Sequence, residues 1–470
     1  MALGRRKEKQ TELLLATAQV VKGPGHPFYS KLNQVLAAAG FDEFVETLCA
    51  SAYKQGGRPG IPPGVYFRML FVGYFEGIDS QRGIAWRCAD SLALREFLGL
   101  SLTEASPVHA SMTLIRQRLS EAMFDKVFVF VLRLLEKEGV LRGRTLGIDA
   151  TTLEANAAMK SIVRKDSGAD WKEYLRQLAK AEGIENPSDD DLRRLDRNRP
   201  DKKVSNQEWQ SPTDPDSRIA KMKDGRTHLA YKAEHTVDLE SQAIVAPLIT
   251  HADRSDAQSA PLSLTVAEAN LVLAGHSAQA AQLVMDKGYH DNGLLADCAA
   301  RGVRTYVPER RQKTRRWTDK PAEQEAAFRA NRRRVRAAKG RRLNRWRSER
   351  CERTFAHVCE TGGGRRSWLR GLENVSKYHT LKCAAYNLGL LLRTVWGYCK
   401  PRNAQDGAGG PFLAFCALLA LMTCLAGWNA DQSTRLNLFT GMFLLLSYLA
   451  AYQSSPFFKA PEKPTLLTGC

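Results

Sequence analysis

Along the first part of the chain, apolar side chains recur at three-to-four spacing, the period that places them on one face of an α-helix. Two long stretches show this most clearly, VYFRMLFVGYFEGIDSQRGIAWRC and MTLIRQRLSEAMFDKVFVFVLRLLEKEGVL. The pattern predicts an all-α domain over residues 1–140. Short helices before a longer one are typical of a helix-turn-helix DNA reader, in which Arg116 and Arg118 would contact phosphates, although a plain helical bundle fits the pattern equally well.

From residue 141 the pattern changes to short apolar runs that alternate with helical stretches, which predicts an α/β domain over residues 141–400. TLGIDATTLEA predicts a first strand, and residues 227–253 predict a hairpin that turns at residues 238–241. The elements expected next are a helix at 257–273, the strand AQLVMD, a helix at 292–300, the strand VRTYVPE, a helix from Ser348 and the apolar helix YHTLKCAAYNLGLLLRTVWGYC. This order matches a ribonuclease-H-like fold, in which the first strand lies parallel to the strand that follows the first helix.

Two stretches interrupt this order of elements. Residues 160–215 are charged and prone to helix but show no apolar face, so we interpret them as an insertion. Residues 310–347 form a basic segment. Over residues 301–350 the chain carries 19 Lys or Arg against 5 Asp or Glu, and this window supplies most of the net charge of +19. A concentrated basic block favours a polyanionic partner, either nucleic acid or an anionic membrane.

Two aspartates stand directly after apolar strands, where a buried carboxylate is costly unless it is paired, ends the strand in a turn or holds a metal. They are Asp149 and Asp286. If their strands are neighbours, the two carboxylates repel each other unless a cation lies between them. Mg²⁺ is bound by a few carboxylates together with retained waters, and Glu352 on the helix after the sheet is a suitable third ligand. Asp253 and Asp256 are interpreted as loop and helix-cap residues.

At these residues the chain resembles the DDE transposases of bacterial insertion sequences, in the branch with an N-terminal helical domain before a ribonuclease-H-like catalytic core. The resemblance covers roughly residues 110–395 and rests on the shared order of SMTLIRQRL, LGIDATTLEANAAMKS, TDPDSRIAKMKDGRTHLAYKAEHTVD, MDKGYHDNGLL, RSERCERTFAHV and RRSWLRGLENVSKYHTLKCAAYNLGLLL. It implies that Asp149, Asp286 and Glu352 are the catalytic residues and the metal ligands. Glu349, one helical turn earlier, is the rival third acid, and Phe355 favours Glu352 because it completes the family's E-R-x-F spacing.

The chain departs from the family pattern around this glutamate. The family often has a tyrosine and an arginine before it and a lysine seven residues after it, whereas this chain has Ser348 four residues before it and Cys359 at the later position. Arg345, Arg347 and Arg350 are the candidate substitutes as phosphate contacts.

The resemblance implies metal-dependent cleavage of DNA ends followed by strand transfer, with two Mg²⁺ ions per active site and Mn²⁺ as a substitute. The expected partner is double-stranded DNA, both the terminal inverted repeats and the target, bound by a homodimer without a small-molecule cofactor. The expected location is the bacterial cytoplasm, at the nucleoid. The residues expected to contact DNA are Arg116, Arg118, Lys287, Tyr289, Arg332, Arg333, Arg334, Arg336, Arg345, Arg347 and Arg350.

The tail, residues 401–470, differs in composition from the rest of the chain and contains two uncharged apolar runs, at 412–428 and 436–452. A membrane span needs about 20 apolar residues, with about 17 at the low edge, so a transmembrane hairpin stays open. We favour packed apolar helices, on the core or between subunits, because the preceding chain resembles a soluble DNA enzyme. Two other function classes stay open: a transposase-derived DNA-binding protein of weakened activity, and a membrane-anchored basic protein.

The cysteines predict neither a disulfide framework nor a zinc finger, because none of the ten forms a C-x-x-C pair. Cys351, His357 and Cys359 lie close together in sequence, but they lack a second pair of ligands. We therefore expect no metal site there. The N-terminus shows no signal peptide.

Overall fold

The computed structural model describes residues 25–53, 60–198, 205–222, 225–277, 279–310, 317–318, 320–399 and 401. These residues belong to one structural unit, residues 1–404, while the second unit, residues 405–470, lies outside the described part. The apolar runs at 412–428 and 436–452 therefore also lie outside it. Within the described residues, no helix is long and apolar enough to span a membrane.

Apolar residues at helical spacing fold the described N-terminal part into helices, as the sequence predicts. Ser80 and Ser91 begin two of them by accepting hydrogen bonds from the backbone N–H groups of Gly83 and Leu94, which would otherwise lack a partner. The helices are α1 (Pro27–Ala38), α2 (Phe41–Cys49), α3 (Pro63–Glu76), α4 (Gln81–Asp90), α5 (Leu92–Phe97), α6 (His109–Arg118) and α7 (Glu121–Lys137).

A mixed sheet follows, and its central strand is the one that carries the first predicted aspartate. The strands are β1 (Thr145–Glu154), β2 (Val163–Arg164), β3 (Trp209–Gln210), β4 (Arg218–Lys221), β5 (Thr227–Asp238), β6 (Ile244–His251), β7 (Gln282–Met285) and β8 (Arg304–Tyr306). Their order is β4-β5-β1-β7-β8, with β6 also paired to β5, and β2 and β3 form a separate ribbon. β1 is antiparallel to β5 and parallel to β7, and β5 is antiparallel to β6. The predicted hairpin and the predicted parallel pair are both confirmed.

The later helices are α8 (Trp171–Ala181), α9 (Asp189–Asn198), α10 (Asp256–Leu273), α11 (Asn292–Ala300), α12 (Ala322–Arg336), α13 (Ala338–Phe355) and α14 (Leu372–Trp396), and a π-helical segment, Ala356–Thr361, follows α13. Those from α10 onward cover both faces of the sheet because side chains alternate along each strand, whereas α8 and α9 pack on each other. On β5, Glu234 contacts α10, whereas His235 contacts α13 and α14. α10 and the pair α13–α14 therefore pack on opposite faces.

Helix α14 joins the N-terminal helices to the sheet. It is apolar on most sides and packs against α3, α7 and β6. The helices and the sheet consequently share one hydrophobic core. The domain boundary predicted near residue 140 falls at the link between α7 and β1.

The structure corrects the sequence predictions in two segments. The helix expected from Ser348 begins at Ala338, and α12 precedes it, so much of the basic segment is helical. Arginine is a good helix former, and buried Phe328 and Leu343 give these helices an apolar contact. The insertion also has an apolar face, because residues of α8 and α9 form a small separate core of Leu175, Ala179 and Leu192.

Candidate active site

The two predicted aspartates are neighbours across the parallel strands β1 and β7. Ile148 lies opposite Met285, so Asp149 is the next residue of β1, which continues to Glu154, and Asp286 directly follows the end of β7. Because the strands run in the same direction, Asp286 leaves the end of β7 beside Asp149. The charge of Asp286 acts on Asp149 and raises the pKa of that carboxyl, as expected for two neighbouring acids.

The environment of Asp149 disfavours its negative charge. Burial is the largest cause and raises the pKa of the Asp149 carboxyl, and Asp286 raises it further. Two hydrogen bonds oppose this effect: Arg347 Nη1 donates to Oδ2 at 2.8 Å, and the backbone N–H of Ala150 donates to Oδ1 at 2.9 Å. The pKa nevertheless stays above its usual value, so the carboxylate lacks sufficient positive charge around it.

A short turn after β7 holds Asp286 in place. Its Oδ1 accepts a hydrogen bond from the backbone N–H of Gly288 at 2.7 Å, at the start of the 3₁₀ segment Lys287–Tyr289. A Cβ atom at Gly288 would come within 2.5 Å of Asp256 Oδ2 and within 2.9 Å of Asp286 Oδ1. A side chain at Gly288 would therefore displace these two carboxylates, and Asp256 is a further acid beside Asp286.

Helix α13 lies across β1 and carries the other charged residues of the site. Arg347 and Cys351, one turn apart, face the strand. A Cβ atom at Gly147 would lie only 3.2 Å from Cys351 Sγ and 2.6 Å from Leu239 Cδ2. The absence of a side chain at Gly147 thus permits the close approach of α13 that brings Arg347 to Asp149.

The two rival glutamates have different partners on α13. Arg350 and Arg353 reach the turn between β5 and β6, at Glu240 O and Gln242 Oε1, and Glu349 pairs with Arg353 at 2.8 Å. Glu352 lies about 60° around the helix from Glu349, on the side of Ser348, whose hydroxyl donates a 3.1 Å hydrogen bond to it. The charge of Glu352 also acts on buried Cys351, as that of Asp149 does.

A buried polar network on the α10 face supports the Asp286 turn, and sequence reasoning did not find it. Glu234 is 1% exposed and accepts hydrogen bonds from Ser259, from Ser263 and from Tyr289 Oη, the last at 2.7 Å. Lys232 lies 3.6 Å from Glu234 and 2.6 Å from Asp256. The local sequence YKAEH does not indicate this network, because the partners of Glu234 come from α10 and from the turn after β7.

Of the predicted DNA contacts, Tyr289 lies inside the protein and Arg116 is half-buried. Tyr289 is 1% exposed and donates its hydroxyl to Glu234, so the structure corrects its prediction as a DNA contact. The guanidinium of Arg116 is largely covered by neighbouring helices, and this burial lowers its pKa. Arg118 is exposed and stacks on Tyr53, and Lys287 is exposed.

The arginines of the basic segment divide into paired and exposed residues. Arg332 pairs with Glu309, and Arg334 donates to the backbone and hydroxyl oxygens of Thr305. Arg347 is bound to Asp149, and Arg350 stacks on Trp346 with 4.1 Å between its guanidinium carbon and the ring centroid. Of the predicted DNA contacts in this group, Arg333, Arg336 and Arg345 are exposed.

A groove of about 460 Å³ opens beside the end of β1, and it adds basic residues that the sequence did not single out. Lys221 and Arg254 stand on its wall with Lys232. Its full lining is Ala150, Thr151, Thr152, Lys221, Met222, Lys232, Ala252, Arg254 and Asp256.

Comparison with known proteins identifies two matching protein families. A transposase domain (DUF772) matches residues 17–118, and a transposase DDE domain matches residues 295–392. The second match includes α13 with Glu352, whereas Asp149 and Asp286 precede it. No curated protein and no solved structure matches the chain. Together the two family matches support the assignment of this chain to the DDE transposases of insertion sequences.

Proposed function

We propose that this transposase has a ribonuclease-H-like core that cleaves the ends of its element and joins them to target DNA. The observation that carries the proposal is that Asp149, within β1, and Asp286, directly after the parallel strand β7, are neighbours, with α13 lying across β1. Asp149, Asp286 and Glu352 are the proposed catalytic residues. Residues 1–140 and 141–400 are the proposed DNA-binding and catalytic parts, followed by the tail.

The carboxylates fit divalent metal ions. Asp149 stays short of positive charge even with Arg347 bound, and a cation would relieve both its burial and its repulsion from Asp286. Oxygen ligands of this kind suit Mg²⁺, with Mn²⁺ as a substitute. Asp149, Asp286 and Glu352 would hold two ions, which would activate the attacking oxygen and stabilise the leaving 3′ oxygen.

The protein's own groups position these acids and the DNA. Arg347 orients Asp149, and the Gly288 N–H orients Asp286. Lys287 is exposed beside Asp286 and can contact a scissile phosphate. Water attacks first and frees a 3′-hydroxyl, which then attacks the target phosphodiester, so no covalent link between protein and DNA is needed.

Glu352 is preferred to Glu349 as the third acid. Glu349 already pairs with Arg353, which also reaches the β5–β6 turn, whereas Glu352 accepts a hydrogen bond from the uncharged Ser348 and completes the E-R-x-F spacing. Cys359, at the family's lysine position, is buried and therefore cannot replace a lysine that contacts phosphate.

The proposed partner is duplex DNA, bound by a homodimer at the nucleoid. Arg333, Arg336 and Arg345 are exposed on α12 and α13, and Lys221 and Arg254 line the groove beside the site. Such charges bind the phosphate backbone without regard to sequence. Contacts by Arg118 to the terminal repeats are part of the same proposal.

The test is cleavage of a labelled terminal-repeat duplex in Mg²⁺, beside a gel-shift assay on the same DNA. Asp149→Asn, Asp286→Asn and Glu352→Gln should each abolish end cleavage and strand transfer while DNA binding survives, because such a site acts as a unit. Glu349→Gln is the matched control and should keep both activities. Loss of cleavage in Glu349→Gln with an active Glu352→Gln would reverse the choice of glutamate. A wild-type protein that binds the repeats but never cleaves them would favour the weakened DNA-binding alternative.

A further inference from the structure

A cluster of metal-ligating side chains lies in the core, on the face of the sheet that α13 and α14 cover. It consists of His235 from β5 and His379 and Cys383 from α14. His235 Nε2 lies 2.8 Å from His379 Nε2 and 3.5 Å from Cys383 Sγ, and the three ligand atoms all lie within 4.8 Å of one another. All three side chains are buried. These residues differ from Cys351, His357 and Cys359, which the sequence places close together.

The hydrogen bonds around His235 fix where its proton lies. Thr354 Oγ1 donates to the backbone oxygen of Cys351 at 2.8 Å, so it accepts from His235 Nδ1 at 2.9 Å. His235 is therefore protonated on Nδ1, and the lone pair of Nε2 points into the cluster. Histidines that bind metals commonly donate their other N–H in this way, which orients the ring and fixes the tautomer.

The distances within the cluster are close to those of a tetrahedral zinc site. Bonds of about 2.0–2.1 Å to nitrogen and about 2.3 Å to sulfur separate two nitrogens by about 3.3 Å and a nitrogen from a sulfur by about 3.6 Å. The pair His235–Cys383 already has this separation, at 3.5 Å. The two imidazole nitrogens, at 2.8 Å, would have to move apart by about 0.5 Å.

The surroundings disfavour charge on all three side chains. Burial lowers the pKa of His235 well below its usual value and, with the charge of Lys382, lowers that of His379 to about 3. Burial also raises the pKa of the Cys383 thiol, although Lys382 lowers it. A second buried thiol, Cys359 in the π-helical segment, is close enough to act on Cys383 electrostatically.

We propose that His235, His379 and Cys383 supply three ligands of a Zn²⁺ site that ties α14 to β5. A thiolate with two imidazoles favours Zn²⁺ over Mg²⁺, which prefers oxygen ligands. Binding releases the Cys383 thiol proton to solvent, and His379 takes the tautomer protonated on Nδ1. The proposal does not depend on the catalytic chemistry, because no catalytic carboxylate is a ligand.

The site would also steady the end of α13. Phe355 stacks on the His235 ring with 4.1 Å between centroids, Thr354 bonds its Nδ1, and His235 is the cross-strand neighbour of Asp149. A metal that fixes this ring would hold the helix three residues beyond Glu352.

The test measures zinc in the full-length protein after removal of any affinity tag, in an Asp149→Asn/Asp286→Asn background that removes the carboxylate ligands. We expect one zinc per chain, lost in Cys383→Ala and in His379→Ala. Cys298→Ala, which changes a buried cysteine on α11, is the matched control and should keep the metal.

A second measurement needs no substitution in the cluster. Adding Co²⁺ to the chelator-treated protein should produce thiolate-to-cobalt charge-transfer absorption, and Zn²⁺ should abolish it. Absence of stoichiometric zinc together with absence of this absorption would overturn the proposal. The three side chains would then form only a hydrogen-bonded core cluster. Zinc retained in full by Cys383→Ala would overturn it as well.

Discussion

Replacing Gly147 by alanine tests whether the close approach of α13 to β1 sets the geometry of the active site. The new Cβ would lie 3.2 Å from Cys351 Sγ and 2.6 Å from Leu239 Cδ2. Ordinary contacts between such atoms are about 3.5–4.0 Å, so Cys351 and its helix would have to retreat by about 0.3–0.8 Å. Leu239 Cδ2 is the end of a side chain that can rotate, whereas Cys351 is fixed to the helix.

This displacement allows an estimate of the effects of Gly147→Ala on stability and on the cleavage rate. Overpacking of a core of this kind costs about 1–3 kcal/mol of folding free energy. A shift of about half an ångström in the helix that carries Arg347 and Glu352 should lower the cleavage rate about tenfold, since a misplacement of about 1 Å can cost about a hundredfold. Urea unfolding measures the first effect, and single-turnover cleavage per folded molecule measures the second.

A matched control and a rescue make this prediction specific. Gly60→Ala adds a methyl group whose nearest neighbour is 3.5 Å away, an ordinary contact, and should change neither stability nor cleavage. Adding Cys351→Ala to Gly147→Ala removes the obstructing sulfur and should restore most of the cleavage rate. If Gly147→Ala cleaved at the wild-type rate, or if the double variant stayed as slow as the single one, the approach of α13 would not govern the site.

Three further predictions follow from the charges of the site. Tyr289→Phe should lower the free energy of unfolding by about 1.5–3 kcal/mol, because it removes a buried hydrogen bond to a carboxylate, and urea unfolding that matches wild type would contradict this. Burial raises the pKa of Asp149 in the folded protein above its usual 3.8. The free energy of unfolding of the metal-free protein should therefore fall as the pH rises from 3.8 through the raised pKa. Asp149→Asn should remove this loss of stability and also the stabilisation by added Mg²⁺. Identical stability–pH profiles for Asp149→Asn and the wild-type protein would argue against this prediction. Exchanging Arg333, Arg336 and Arg345 for glutamine should weaken binding to any duplex and flatten its salt dependence, while an unchanged slope would show that they do not contact DNA.

The parts of the fold that the sequence predicts are those whose pattern is local. The hairpin β5–β6 shows alternation and a polar turn, and α10 and α11 begin and end within a few residues of their expected positions. It was predictable that Asp149 and Asp286 are neighbours, because the order of elements implies that β1 and β7 are parallel. The start of α13 was missed because a dense run of arginines hides Leu343, the buried residue in its first half.

The parts that could not be predicted depend on contacts between distant segments. Glu234 is bound by α10 and by Tyr289, which lies 55 residues away, so a single charged residue in a strand gave no indication of its partners. His235 and His379 are 144 residues apart and meet only because α14 crosses the sheet. Sequence spacing indicates a metal site only when the ligands are close along the chain, and this cluster does not meet that condition.

The two proposed catalytic aspartates are held by separate networks on opposite faces of one sheet. Asp149 is fixed from the α13 face by Arg347, whereas the turn of Asp286 is fixed from the α10 face through Tyr289 and Glu234. Strand pairing between β1 and β7 is the direct link between the two networks at the site. A change on one face should therefore displace one carboxylate and leave the other in place. Because both acids are needed for the proposed chemistry, damage to either face would stop cleavage, although only one metal ligand would have moved.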